Sequence, residues 1–280
     1  LIHSFEGINQ IDHALVHGEA YAGFSPAIPH AHHMWGHDLR RVGRIDDAIK
    51  AFTRTDELEN AYYVQEKIPA QLDWHHVHNL DLLATSHEHK GQMRKAEELL
   101  RQATAIPALT EYQEYMQKSL AVFLLGRQRW RDAIAAAKVL SNGKSATTRT
   151  VGHAFEAHAY LALRNMAAAR KAMAAAQAEL QAIPVLTAGI TVNRAAVKPY
   201  VDALQAEMLL REGKIEEGSV LSKDVQARLR ALPGPDAWTQ ALSRLEAFAR
   251  TARARGAWDL AEHTARQMID HDAAYAGSHL

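Results

Sequence analysis

Arg41-Val-Gly-Arg-Ile-Asp-Asp-Ala48 recurs along the chain as His89-Lys-Gly-Gln-Met-Arg-Lys-Ala96, Arg211-Glu-Gly-Lys-Ile-Glu-Glu-Gly218 and Ala254-Arg-Gly-Ala-Trp-Asp-Leu-Ala261. Each copy carries a glycine, and five residues later an alanine or a second glycine. A glycine after an amphipathic stretch suits the left-handed residue that closes a helix. Gly43, Gly91, Gly213 and Gly256 are therefore expected at positive φ. Ala48, Ala96, Gly218 and Ala261 are expected to let the next helix lie close to the one just ended. Two looser copies sit between them. Leu125-Gly-Arg-Gln-Arg-Trp-Arg-Asp-Ala133 is longer by two residues, and Leu163-Arg-Asn-Met-Ala-Ala-Ala169 has no glycine. In the latter, Asn165 is the expected left-handed residue.

Outward from these turns the chain is rich in Ala, Leu, Glu, Gln, Arg and Lys and poor in β-branched runs, which argues for helix throughout. The spacing predicts the pairs 29–42/44–62, 73–90/92–106, 110–125/128–141, 147–164/166–182, 190–212/214–232 and 236–255/257–271. Residues 1–24 read as one or two helices of an incomplete unit before them. A hairpin of this kind cannot bury its own apolar stripe, so stacked neighbours must supply the core. The pattern resembles the tetratricopeptide-repeat superfamily over most of the chain. That resemblance implies an all-α fold, a right-handed superhelix of about six helix–turn–helix pairs. It also implies one solenoid over 1–280, with a His-rich front part (1–90) and further repeats (91–280). Trp130 and Trp258, which open second helices, are expected in the core.

Composition narrows the function. Lys plus Arg and Asp plus Glu both number 32, for a net charge of zero. No basic stripe suits a phosphate backbone, so nucleic acid is not an expected partner. There is no Cys, which removes disulfides and thiolate sites. No apolar run approaches the ~20 residues of a membrane span, so a soluble chain is expected. The sequence opens at Leu1 rather than Met, read here as a processed or truncated N-terminus. Gly-rich phosphate loops and dinucleotide fingerprints are missing, so no nucleotide cofactor is expected.

Histidine is the informative residue. Of the 17 in the chain, 12 precede residue 90. His30, His33 and His37 stand at i, i+3 and i+7, on one face of a helix. In Asp73-Trp-His-His-Val-His-Asn-Leu-Asp81, His78 and Asp81 continue from His75 at the same spacing. First helices of adjacent pairs are neighbours in a helical array. His33 and His37 are therefore expected to meet His78 across one gap of ~8–10 Å between axes. A lone helical histidine is more often an ordinary surface or core residue; here spacing and regional clustering coincide. His32, His75, His76, His87 and His89 are read as solvated or supporting residues.

Leu1-Ile-His-Ser-Phe-Glu6, Ala20-Tyr-Ala-Gly-Phe-Ser-Pro26 and His30-Ala-His-His-Met-Trp-Gly-His37 also resemble a group of bacterial tetratricopeptide proteins with a His-x-x-His-Met-x-x-His motif. The matching positions are His3, Glu6, His30, His33, Met34 and His37, with His78 and Asp81 following. The chain departs from the group at Trp35-Gly36 and in having Glu rather than Asp at position 6. The resemblance implies a shared His-lined pocket without bringing a reaction with it.

The candidate site is therefore His33, His37 and His78, with His3, His30, Glu6 and Asp81 around them. Such a nitrogen and oxygen donor set suits a divalent transition metal, Zn²⁺, Fe²⁺, Mn²⁺ or Cu²⁺. His33-Met-Trp-Gly-His37 has zincin-like spacing but lacks the Glu that serves as general base there, so peptide hydrolysis by that route is not expected. Two readings remain open. One is a binding or scaffold protein that takes a peptide or protein in its concave groove, or a small molecule at the His pocket. The other is a metal-dependent hydrolytic or oxidative enzyme.

Overall fold

A computed structural model describes residues 1–8, 10–183, 194–231 and 237–271. Among these residues all regular structure is helical: α1 (Ile2–Gly7), α2 (Ile11–Phe24), α3 (Pro29–Arg41), α4 (Ile45–Glu66), α5 (Trp74–His89), α6 (Met93–Ala105), α7 (Glu111–Met116), α8 (Ser119–Gly126), α9 (Trp130–Ser141), α10 (Ala146–Ala162), α11 (Met166–Ala182), α12 (Arg194–Arg211), α13 (Ile215–Arg230), α14 (Ala237–Ala254) and α15 (Trp258–His271), with one 3₁₀ turn at Ala70–Leu72. The protein is an all-α chain of helix–turn–helix pairs. The start expected for the fifth pair, at 190, lies outside the described residues.

One turn geometry joins six of the pairs. Gly43, Gly91, Gly213 and Gly256 all have positive φ, between 68° and 84°. In each turn the next residue's N–H donates to a carbonyl five residues back: Arg44 to Leu39, Gln92 to His87, Lys214 to Leu209 and Ala257 to Ala252. This is the Schellman closure, which satisfies carbonyls that the helix end leaves open. Arg129 to Leu124 and Asn165 to Tyr160 repeat the bond at the two turns without a matching glycine. There the left-handed residues are Gln128 (φ 58°) and Arg164 (φ 60°). The expectation for Asn165 is thus corrected by one residue. Asn165 (φ −90°) caps α11, and its side chain accepts the Ala168 N–H at 3.1 Å. The small residues of the next helix do pack closely. Ala48, Ala96, Ala133 and Ala169 are fully buried, and a Cβ on Gly218 would stand 2.8 Å from the Leu210 side chain.

Two further expectations are revised. The helix expected over 110–125 is broken into α7 and α8 at Gln117 and Lys118. Trp258 is 66% exposed rather than in the core: it starts α15 beside the turn.

Chain contacts divide the protein into two compact units, Leu1–Phe123 and Leu124–Leu280. In the first, α3 packs against α2, α4 and α5, and its Met34 joins Ile2 and Ala14 in a core that also takes Phe5 and Tyr21. Phe52, Leu39 and Leu80 are fully buried there. The second unit is built from α9–α15, with Ala203, Ala206, Val225, Leu229 and Phe248 in one core cluster. Among the described residues no helix is long and apolar enough to cross a membrane.

Candidate metal centre

Two helices of the first unit bring the site together. Pro29 opens α3, where its fixed φ suits the first turn and its missing N–H costs nothing. His33 and His37 then lie one turn apart on the face that α3 buries, 3% and 1% exposed. Asp73 caps α5 by accepting the His75 N–H at 2.9 Å. That sets the start of the helix and brings His78, 8% exposed, to the same place. One ring nitrogen from each of His33, His37 and His78 lies within 4.8 Å of the other two. Around a tetrahedral ion with bonds of about 2.0–2.1 Å, neighbouring nitrogens stand roughly 3.4 Å apart, so only small side-chain rotations separate this cluster from a ligand set.

The ring nitrogens can be assigned from their partners. Asn79, fully buried, donates from Nδ2 to the Phe52 carbonyl at 2.9 Å, which fixes its amide. Its Oδ1 then faces His33 Nδ1 at 3.1 Å and accepts from it. The His33 proton therefore sits on Nδ1, and Nε2 carries the lone pair. That lone pair lies 3.0 Å from His37 Nε2. Between two neutral rings, His37 Nε2–H must be the donor.

Burial holds His33 and His37 well below the usual imidazole range, and the neighbouring rings add to the effect. Both are neutral near pH 7, the form that binds metal. On the far side of His37, Nδ1 is 3.8 Å from Glu6 Oε1. The other Glu6 oxygen is bonded to the largely exposed His3 at 2.5 Å, and this bond raises the His3 pKa. Arg41 Nη1 donates to the Glu6 carbonyl at 3.3 Å.

The other expected residues are placed as follows. His30 is half-buried, its ring stacked 5.9 Å from His33 and edge-on to His75 at 5.0 Å. Burial and then the charge of His75 lower its pKa. Asp81 is half-buried one turn beyond His78 and outside the three-histidine cluster. His3 and Glu6 likewise stand outside it, behind His37. His76 is not solvated: it is 2% exposed and bonded to Glu59 on α4 at 2.8 Å.

Asn79 and Asp38 were not singled out by the sequence reading. Asn79 had a signal in its place beside His78. Asp38 follows His37 directly and is fully buried, with both carboxyl oxygens lacking hydrogen-bond partners among the described residues. Burial and then the charge of Glu6 push its pKa up to about 7.

No family model matches the chain, and no curated protein does. Solved structures that match include a chain in the structure of Naa15/Naa10 bound to HypK-THB, with 12% identity and a TM-score of 0.41. The match takes in 99% of this chain and 37% of that one, so this chain spans little more than a third of its length.

Proposed function

We propose that this is a helical-repeat protein whose N-terminal unit holds one divalent transition-metal ion between His33, His37 and His78. The reading is carried by the convergence of three buried ring nitrogens within 4.8 Å of one another, on two adjacent helices of the first unit. Grouping three imidazoles out of water without a shared ligand is costly, whereas an ion satisfies all three lone pairs. Imidazole ligands suit Zn²⁺, Cu²⁺ and Fe²⁺. Three neutral ligands leave the ion its full charge and a fourth position for water or for a small ligand with an oxygen or nitrogen donor.

The protein is thus read first as a metal-dependent binding module, with a small molecule at the metal and a peptide or protein segment along the helical pairs. Hydrolysis by a metal-bound water is the second reading, favoured by the all-neutral ligand set, which lowers the pKa of such a water most strongly.

The test is elemental analysis of tag-free protein after exposure to each metal in turn. One ion per chain is expected for the wild type, and none for the double variant His33→Ala/His37→Ala at unchanged helix content. A wild type that retains less than ~0.2 ion per chain for every metal offered would remove this reading; full sites retain near one equivalent.

A further inference from the structure

Two buried polar atoms behind the cluster point to a role for Glu6 different from that of a ligand. Neither His37 Nδ1 nor Glu6 Oε1 has a hydrogen-bond partner among the described residues, and they face each other at 3.8 Å. Both residues are buried, at 1% and 5% exposure. Leaving two such groups unsatisfied is unfavourable. Their present mismatch has a definite cause. With the His37 proton on Nε2, directed at His33, Nδ1 is an acceptor opposite another acceptor.

Resting on the metal reading above, we infer that Glu6 is the positioning residue for His37. A metal ion bonded at His37 Nε2 displaces the proton from that nitrogen. The ring regains a proton at Nδ1, where Glu6 Oε1 accepts it in a hydrogen bond. The Nε2–H bond is lost, the metal–Nε2 and Nδ1–H bonds form, and the ring stays neutral. Both orphaned atoms are satisfied in one step.

Closing 3.8 Å to hydrogen-bond length needs a movement of about 1 Å. Glu6 is held in place for it. His3 is bonded to its other carboxylate oxygen, and Arg41 to its carbonyl. His33 already has the matching arrangement, with Nδ1–H on Asn79 and Nε2 toward the cluster. The two α3 ligands would then be oriented alike, one by an amide and one by a carboxylate, as outer partners of metal-bound imidazoles commonly are.

The experiment compares wild type, Glu6→Gln and Glu6→Leu as metal-free full-length protein. Zn²⁺ affinity is read by competition with a chromophoric chelator, and the ligand set by the visible bands of bound Co²⁺. Glu6→Leu is expected to weaken Zn²⁺ binding ~10–100-fold, and Glu6→Gln, whose amide oxygen still accepts a hydrogen bond, by less. The Co²⁺ bands should be the same in all three. In wild type, long-range ¹H–¹⁵N spectra should show His37 Nδ1 becoming protonated on Zn²⁺ addition.

Equal affinities in all three proteins, or an Nδ1 that stays unprotonated with Zn²⁺ bound, would overturn the positioning role alone. Co²⁺ bands altered in both variants would make Glu6 a ligand and overturn it too. A wild type that binds neither Zn²⁺ nor Co²⁺ would remove the metal reading and this inference together.

Discussion

Asn79 determines which nitrogen of His33 faces the cluster, so a substitution there tests the arrangement atom by atom. Asn79→Leu removes the acceptor for His33 Nδ1–H and the donor to the Phe52 carbonyl. Leaving the buried His33 Nδ1–H unpaired costs about 1–3 kcal/mol, while the Phe52 carbonyl keeps its bond within α4, and losing an outer partner weakens metal binding ~10–100-fold. Urea unfolding of the metal-free protein and chelator competition read the two effects separately. Gly36 is a second single-residue test. A Cβ there would stand 2.6–2.9 Å from three atoms of the Phe52 ring, which is itself fully buried. Gly36→Ala is expected to destabilise the first unit by about 1–3 kcal/mol and to shift His37 next door. Adding Phe52→Leu, which replaces the planar ring, should recover part of that loss in the same unfolding assay. The sequence made His33, His37 and His78 legible because helical spacing and hairpin adjacency are properties of order along the chain. The side of His37 on which Glu6 stands was not legible. It depends on which ring nitrogen meets which helix, and that exists only after packing.

At the scale of the element, the recurring turn was the most readable feature, and its two irregular copies were the least. Where glycine is present it takes the left-handed position, as its lack of a Cβ allows. Where it is absent, the closing bond still places the left-handed residue two before the next helix start. At those turns Gln128 and Arg164 pay the steric cost. Propensity pointed to Asn165 as the next best residue, but its side chain is worth more as the α11 cap. Opposite outcomes follow at neighbouring positions. Arg164→Gly and Gln128→Gly should each stabilise the protein by about 0.5–1 kcal/mol, because the αL strain relieved exceeds the added chain entropy. Asn165→Ala should cost about 1 kcal/mol through the lost cap. Shifts in urea midpoint at constant slope measure all three. A stabilising Asn165→Gly with a neutral Arg164→Gly would instead support the sequence expectation. The break between α7 and α8 had no local sign. The segment contains no Pro or Gly there. Gln113 donates to the Gln71 carbonyl at 2.8 Å and Gln117 to the Ile106 carbonyl at 2.7 Å, contacts with distant backbone that arise only in the folded unit.

At the scale of the molecule, the first unit buries several imidazoles, and a half-buried one in the second unit gives the stability a pH dependence of definite sign. Arg244 Nη1 lies 2.7 Å from His158 Nδ1, and a guanidinium can only donate, so Nδ1 holds the lone pair. Burial and then the Arg244 charge push the His158 pKa down to about 4. Arg211 and Arg250 act in the same direction and Glu207 against them, though Glu207 is already engaged by Arg211 and Thr251. A histidine whose pKa falls on folding binds more protons when unfolded. Its contribution is therefore full above the unfolded value near 6.5, declines as the pH drops, and is gone below about 4. The shift corresponds to at most about 3 kcal/mol, less the part screened where the side chain still meets solvent. Hydrogen exchange of α10, α12 and α14, corrected for intrinsic rates, should show protection falling between pH 6.5 and 4. His158→Gln supplies an oxygen that can accept from Arg244 and does not titrate. That variant should flatten the decline in these helices while leaving Zn²⁺ binding at the first unit's histidines unchanged. An equal decline in both proteins would assign the acid sensitivity to other groups.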